Sequence, residues 1–356
     1  MYSFLCEEAF STPSLLTTPI HFSPSSISHP KHPHPLSITM PSSTPLRVGV
    51  IGPSGFGGSY LSVELLNRGH TVIGISRNPS KLGQHPRYEP RSVDIDQVSI
   101  PELAKSFSDI DVLVSEYGPH TAGAGALLYM PFLETVRKLI LAYKASDAKY
   151  FIFVGGAGSL HVPGTSDSCV DHPDFFLAYR RAISTSLAHI AYMEERLGIM
   201  GTSLRRYREA RIAEREGRQS EEDGKVIEEY EKSIRAKDQA SDFIKAGRTA
   251  YMFFDGNESF RWSFVSPSAL YRPGKRTGKY EISVDDMVLV GEQQEGKDVF
   301  EGRLTGISVG DMAIAIADEV EQQKLVGKHW SAWGYLSEDV PGKSYLRLDE
   351  VEGGSA

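Results

Sequence analysis

Short apolar runs alternate with segments of helical period along most of the chain after residue 46. The runs are LRVGVIG, TVIGISR, the shorter RSVDI, DVLVSEYG and KYFIFVGG. Continuous apolar runs are typical of parallel strands that are covered on both faces. Between them, apolar residues recur at helical spacing in SYLSVELLNRGH, IPELAKSFSDI and MPFLETVRKLILAYKAS. The pattern predicts an α/β fold with a right-handed, doubly wound parallel sheet.

The middle of the chain has a different pattern. It begins with AYRRAISTSLAHIAYMEERLG, which predicts one long helix, and continues as a nearly all-helical insertion at about residues 190–247. Opposite charges at helical spacing, such as Glu228 and Lys232, are dense and nearly balanced there. We interpret the insertion either as a solvated helical hairpin or as an arm that binds a protein partner or a second copy.

The C-terminal part returns to strands and helices. FRWSFVSPSALY and LVGKHWSAWGYL predict strands, and Ser308 stands where it would cap an amphipathic helix. Residues 260–336 are predicted to form a small substrate-covering part, with Trp330 and Trp333 either in the core or on the substrate side. Residues 337–356 are predicted to be a loose tail.

The N-terminal residues 1–45 are rich in Ser, Pro, Thr and His. Such a segment buries too little apolar surface to offset its ordering entropy, so it is predicted to be disordered. It is a poor transit peptide, because it carries Glu7 and Glu8 and has no arginine before Arg47. Met40 would be a natural start, which makes residues 1–39 dispensable in this interpretation.

Composition narrows the function classes. The net charge of −8 favours neither nucleic acid nor an anionic membrane as a partner. No apolar run reaches the roughly 18–20 residues that span a bilayer. Two cysteines, Cys6 and Cys169, exclude a disulfide framework, and no metal site is predicted. These features predict a cytoplasmic protein that acts on a small molecule.

The first strand is followed by a glycine-rich turn, GPSGFGG, that opens the first helix. Gly52 permits a tight turn, Gly55 lets the backbone approach a pyrophosphate, and Gly58 lets the helix pack closely on the strand. A pyrophosphate would bind the free N–H groups at the positive end of the helix. The sequence therefore predicts a dinucleotide-binding turn rather than a plain strand-to-helix turn.

The end of the second strand decides between NAD and NADP. It carries Arg77 and Lys81 instead of the acidic residue that binds the ribose of NAD. A guanidinium can bind the 2′-phosphate through two hydrogen bonds, so NADP is the predicted cofactor. The predicted cofactor-binding residues are Gly52, Ser54, Gly55, Phe56, Gly57, Gly58, Arg77, Lys81, Asp94, Tyr117, Gly118, Gly155 and Gly156.

These motifs, together with RWSFVSPSALYRPGKRTGKYEI and ISVGDMAIAIADEVEQ, resemble those of atypical short-chain dehydrogenases/reductases. The resemblance is to the NmrA-like and flavin- or biliverdin-reductase-B-like NAD(P)H-binding proteins, and it spans most of residues 46–320. It implies a Rossmann domain that prefers NADP and has a small C-terminal substrate part. The helical insertion departs from the compact pattern of these relatives.

The Tyr-x-x-x-Lys pair of many short-chain dehydrogenases is missing. Tyr192 is followed at this spacing by Arg196, and Tyr271 reaches Lys275 only across Pro273 and Gly274. Another side chain would then supply the proton that accompanies hydride transfer.

Tyr179 and Ser159 are the catalytic candidates, although each is also explained as a packing or capping residue. His120 and His161 follow strands and could face the pocket, but they read more simply as loop histidines. The favoured function is an NADPH-dependent oxidoreductase of a small carbonyl, enone or quinone. A non-catalytic NADP-binding regulator and an epimerase or dehydratase are the alternatives.

Overall fold

The described residues form a mostly parallel sheet of eight strands and a separate sheet of two short strands. The computed structural model describes residues 44–118, 129–236, 239–338 and 342–350, so His120 and residues 1–43 of the predicted disordered segment 1–45 lie outside the described residues. The strands are β1 (Arg47–Ile51), β2 (Thr71–Ser76), β3 (Tyr88–Ser92), β4 (Val112–Ser115), β5 (Tyr150–Val154), β6 (Trp262–Val265), β7 (Leu270–Arg272), β8 (Glu281–Val284), β9 (Gly306–Ser308) and β10 (His329–Trp333).

Helices cover both faces of this sheet and form the insertion. They are α1 (Phe56–Asn67), α2 (Ile100–Ser106), α3 (Tyr129–Lys144), α4 (Phe175–Ser184), α5 (Leu187–Leu197), α6 (Ile199–Arg215), α7 (Glu221–Arg235), α8 (Gln239–Tyr251) and α9 (Val309–Gln322). Ser308 caps α9 by accepting a hydrogen bond from the backbone N–H of Asp311, as predicted. No helix in the described ranges is long and apolar enough to cross a membrane.

The strand order confirms the doubly wound fold. The order is β3-β2-β1-β4-β5-β6-β10-β8, and β8 runs antiparallel to β10 whereas the other neighbours are parallel. This is the order of a dinucleotide-binding sheet, with β10 and β8 added at one edge. Two apolar clusters fill the two faces, and both extend across the sheet. The chain reverses its winding between β1 and β4, so a cleft is expected outside their carboxyl ends.

The third strand lies at Tyr88–Ser92, upstream of the predicted RSVDI. Tyr88 fixes this register. Its ring packs on Gly74 of β2, where a Cβ would lie 2.1 Å from the Tyr88 hydroxyl. That hydroxyl also donates to the carbonyl of Pro79 at 2.8 Å. An aromatic anchor of this kind outweighs the weak apolar pattern of residues 91–95.

The predicted long helix at residues 178–198 is wrong in one respect, because the chain breaks it into α4 and α5. Ser186 accepts a hydrogen bond from the backbone N–H of His189 and so begins a new helix. The break turns α5 toward α1, where Tyr192 packs on Phe56 with ring centroids 4.9 Å apart. The apolar spacing continues across the break, which is why the pattern did not reveal it.

The insertion packs on the rest of the domain through a buried ion pair. Glu231 of α7 is 7% exposed and accepts hydrogen bonds from Arg181 of α4 at 2.9 and 2.7 Å. The Tyr207 hydroxyl of α6 donates to the same carboxylate at 2.7 Å. This network ties α4, α6 and α7 together, so part of the charge in the insertion is structural rather than solvated.

Two further expectations about the C-terminal part change. Residues 260–336 contribute β6, β8 and β10 to the eight-stranded sheet and β7 and β9 to a separate two-stranded sheet, and Trp330 is fully buried in the core. Residues 342–350 do not form a loose tail, because the Leu346 N–H donates to Ser59 at 3.1 Å and the Tyr60 hydroxyl donates to the Lys343 carbonyl. These contacts were not predicted, because the segment has a polar sequence and its partners are far away in the chain.

Candidate cofactor cleft and adjoining cavity

The glycine turn between β1 and α1 lets the first turn of the helix pack closely on the backbone of the turn. Gly52 has φ +80°, a conformation that favours glycine. A Cβ on Gly58 would lie 2.1 Å from the carbonyl oxygen of Gly52, so only glycine lets α1 pack this closely on the turn. Gly55 is the N-cap of α1 and brings no side-chain cap. The first turn of α1 therefore presents backbone N–H groups that can bind an anion.

A cleft of about 520 Å³ lies at the carboxyl ends of the central strands, next to this turn. Among the predicted cofactor residues, those that line it are Gly52, Gly55, Phe56, Gly57, Arg77, Asp94, Tyr117, Gly118 and Gly155. Gly58 packs behind the turn, and Ser54 and Lys81 are not among the lining residues. Gly156 lines the adjoining cavity instead.

Arg77 and Asp94 stand at one end of the cleft. Arg77 is exposed, and its guanidinium makes no hydrogen bond or ion pair with any described residue. The Asp94 carboxylate accepts the backbone N–H of Asp96 at 3.2 Å. Asp96 in turn accepts from the hydroxyl of Tyr117 at 3.3 Å and from Thr135 at 3.0 Å. The cation is thus available to a ligand, while the carboxylates organise the loop after β3.

Sequence reasoning missed several residues at the other end of the cleft, namely Glu116, Arg196, Pro267, Tyr271 and Tyr345. Glu116 could have been predicted as a cleft residue, because it is an acidic residue directly after a buried strand. Arg196 donates a hydrogen bond to the hydroxyl of Tyr192. These two residues, which have the Tyr-x-x-x-Lys spacing with arginine in place of lysine, are therefore in contact. Tyr345 lies 287 residues beyond Gly58, the last glycine of the turn, and no local pattern could place it there.

A second cavity of about 290 Å³ adjoins the cleft. The two share Tyr117, Gly118, Val154 and Gly155 as lining residues. Two aromatic pairs line the second cavity: Tyr117 stacks on Phe132 with centroids 6.0 Å apart, and Phe176 stacks on Tyr179 at 6.1 Å. Its cover comes mainly from α4, and from residues 260–336 only Ala269 is among the described lining residues.

Tyr179 lines this second cavity, and its hydroxyl makes no hydrogen bond to a described residue. Burial raises the pKa of the Tyr179 phenol, while Arg180 and Arg196 act in the opposite direction. The phenol is therefore protonated at neutral pH and can donate a proton or a hydrogen bond.

Ser159 lies elsewhere. Its buried hydroxyl donates to the carbonyl of Gly156 at 2.8 Å and lies 2.8 Å from the hydroxyl of Ser266. The imidazole of His329 completes this group, 2.9 Å from Ser266. Burial lowers the pKa of His329 to about 3, so the ring is neutral. Ser159 is not among the lining residues of either cavity, and this position favours a structural role in joining the ends of β5 and β6.

Cys169 and His161 lie outside both cavities. Cys169 is fully buried, and burial raises the pKa of its thiol to about 12, which keeps it unreactive. His161 joins the bridges to Ser168 and Asp286 and is not among the lining residues of either cavity.

Comparison with known families agrees with this geometry. Residues 52–194 match a family model described as NAD(P)H-binding. The match begins at Gly52 of the glycine turn and ends in α5, so it contains most of the residues that line the cleft. Residues 52–194 are therefore similar to NAD(P)H-binding domains.

Several known proteins are similar to this chain at low sequence identity. The uncharacterized protein YwnB of Bacillus subtilis is 24% identical over 279 residues, which cover 78% of this chain and 92% of that protein. Among solved structures, a "putative epimerase" from Bacteroides thetaiotaomicron is 24% identical with a TM-score of 0.53, over 83% of this chain and 99% of the other. A "putative NADH-flavin reductase" from Streptococcus pneumoniae is 18% identical with a TM-score of 0.51, over 82% and 100%. At these identities the likeness establishes the fold alone.

Proposed function

We propose that this protein is an NADPH-dependent oxidoreductase that reduces an uncharged, flat aromatic carbonyl, enone or quinone. The observation that carries the proposal is the junction of the two cavities. Because Tyr117, Gly118, Val154 and Gly155 line both, a dinucleotide in the cleft and a small molecule in the aromatic cavity would meet at this wall. Ligands of doubly wound folds bind at this edge of the sheet.

The residues present fit a dinucleotide. The glycine turn lines the cleft with backbone at Gly52, Gly55 and Gly57, and the uncapped end of α1 would hold the diphosphate. Arg77, which has no described partner, would bind the 2′-phosphate of NADP. Bound NADPH would supply the hydride.

Replacing Arg77 with alanine is expected to weaken NADPH binding about 30-fold, which corresponds to the roughly 2 kcal/mol of a hydrogen bond to a charged group. NADH affinity is expected to change little, because NADH lacks the 2′-phosphate. Fluorescence titration of both nucleotides measures the ratio directly.

Lys105→Ala is the matched control for this titration, since it removes an exposed cation on α2 that does not line the cleft. It is expected to leave both affinities unchanged. Equal weakening of NADPH and NADH by Arg77→Ala would contradict the preference for NADP. The unfolding midpoint of both variants should match that of the wild type, since neither side chain is buried.

The second cavity indicates the substrate class. Its described lining residues are glycine, alanine, valine, phenylalanine and tyrosine, and none of them carries a charge. Aromatic faces such as those of Phe132 and Phe176 favour stacking with a planar ring. A sulfonate or carboxylate would be desolvated there without a cation to pair it, at a high cost in free energy.

Reduction of such a substrate consumes one hydride and one proton. The hydride carries both electrons to the carbonyl or conjugated system, and the oxygen that becomes negative takes the proton. The Tyr179 hydroxyl lines this cavity, makes no hydrogen bond to a described residue, and could donate this proton. Solvent would then reprotonate the phenolate. The missing Tyr-x-x-x-Lys pair therefore does not exclude the reaction.

A matched pair of substrates tests the proposed class. We expect turnover of NADPH with naphthoquinone and little or none with naphthoquinone sulfonate, although the sulfonate is the stronger oxidant and more soluble. Preference for the sulfonate would contradict the uncharged cavity. Tight NADPH binding without turnover of any neutral aromatic carbonyl, enone or quinone would instead support a non-catalytic nucleotide-binding protein.

A further inference from the structure

The carboxyl group of Glu116 lies against the glycine turn, inside the cofactor cleft. A Cβ on Gly57 would lie 2.4 Å from its Oε2 and 3.0 Å from its Oε1, so the carboxyl occupies the space that a side chain at position 57 would fill. The backbone N–H of Glu116 donates to Ile51 and continues the pairing of β1 with β4. That pairing holds the residue in place at the end of β4.

The carboxyl has no described partner. No side chain in the described ranges forms an ion pair or a hydrogen bond with it, although it lines the cleft. The titratable groups that line this end of the cleft with Glu116 are the phenols of Tyr271 on β7 and Tyr345 near the C-terminus and the guanidinium of Arg196 on α5. The phenols of Tyr60 on α1 and Tyr192 on α5 interact electrostatically with Tyr271 behind them. Arg196 is already engaged with the Tyr192 hydroxyl.

Burial raises the pKa of Glu116 to about 7. A diphosphate on the N–H groups of α1 would bring negative charge to the same place, since Gly57 is the second residue of that helix. An ionised carboxylate beside it would repel this charge in a partly desolvated cleft. A neutral carboxyl has an O–H group and could donate a hydrogen bond to a phosphate or ribose oxygen.

We propose that Glu116 is a nucleotide-binding residue that acts in its protonated form, so that binding of NADPH takes up a proton. This inference rests on the proposed function for the identity of the ligand, and it adds a residue that sets the pH range of binding.

The direction of the pH dependence follows from linkage. Below the pKa of the free protein Glu116 is already neutral, so nucleotide affinity is at its maximum. Above that pKa, the carboxylate must take up a proton on binding, and affinity falls by up to about tenfold per pH unit. The decline ends only above the still higher pKa that the group has in the complex.

Calorimetry measures the proton directly. NADPH is titrated into the full chain at a pH about one unit above 7, in two buffers that differ in ionisation enthalpy. We expect the wild type to take up close to one proton per nucleotide and Glu116→Gln to take up much less. Because Gln keeps the shape and a hydrogen-bond donor, its affinity is expected to stay near the low-pH value of the wild type across the range.

Two comparisons separate Glu116 from other titrating groups. The 2′-phosphate of NADPH titrates near pH 6, but its contribution to proton uptake is the same for the wild type and for Glu116→Gln. A parallel titration with NADH, which lacks this phosphate, eliminates the contribution. Glu134→Gln changes an exposed acid on α3 and is expected to keep the wild-type proton uptake.

The outcomes distinguish this inference from the proposed function. NADPH binding with the same pH dependence and proton uptake in the wild type and in Glu116→Gln would overturn the inference alone. No NADPH binding to the wild type at any pH would overturn both. If Glu116→Gln were unstable, Glu116→Ala must show the same loss of proton uptake, and wild-type uptake in that variant would contradict the role of Glu116.

Discussion

Replacing Tyr179 with phenylalanine is expected to lower kcat about 100-fold, the usual loss when a positioned proton donor is removed. Tyr179 lines the aromatic cavity, and its hydroxyl has no hydrogen bond to a described residue. The ring itself packs on Phe176, a contact that phenylalanine preserves. NADPH affinity and the unfolding midpoint are therefore expected to stay unchanged, and steady-state kinetics with fluorescence titration measures the difference.

Tyr117→Phe is the matched control. It removes the hydroxyl of another tyrosine that lines the same cavity, but this hydroxyl donates to Asp96. We expect a much smaller loss of kcat than for Tyr179→Phe. An equal, small effect of both variants would mean that water or another group supplies the proton, and would remove Tyr179 from the account.

Replacing Gly58 with alanine is expected to destabilise the protein by about 3 kcal/mol, at the upper end of overpacking effects. The added Cβ would lie 2.1 Å from the Gly52 oxygen and 3.2 Å from the Cα of Pro53. Both contacts are with backbone, so α1 itself must move away from the turn. Nucleotide affinity should fall with stability, because α1 provides the N–H groups of the cleft. Urea unfolding and NADPH titration measure the two effects.

Gly224→Ala provides the comparison for a glycine without such a contact. Gly224 lies inside α7, and the nearest atom to its added Cβ is 3.8 Å away. Alanine is the better helix former, so the variant is expected to gain about 0.5–1 kcal/mol of stability. A Gly58→Ala protein as stable as the wild type would contradict the close packing of α1 on the glycine turn.

Local features were predictable from the sequence. The turn from Gly52 to Gly58 and the cation at Arg77 are read from neighbouring residues, because the turn geometry and the strand end are local properties. Periodicity also predicted the sheet, since the buried parallel strands β1, β2, β4 and β5 have continuous apolar runs. Tyr179 was placed near the cavity because it follows β5 in the chain.

Features that depend on distant contacts were not predictable. The C-terminal segment reaches α1 through Lys343 and Leu346, and polar sequence gives no sign of such a contact. The helix break at Ser186 depends on an N-cap hydrogen bond from the backbone N–H of His189, although the apolar spacing continues through this position. Ser159 was an equal candidate beside Tyr179 until its hydrogen bond to Ser266 set it apart. The direction of the Ser159 side chain in the glycine loop after β5 depends on tertiary packing, which cannot be derived from a single sequence.

The junction between the cleft and the aromatic cavity is the centre of the account, and one measurement tests it most directly. The protein is loaded with NADPH deuterated at the transferring carbon of the nicotinamide and mixed with a neutral aromatic enone or ketone. We predict one oxidised nucleotide and one deuterium bound to carbon in the product for each turnover. NADPH that stays bound and unoxidised with every neutral aromatic acceptor would contradict the account.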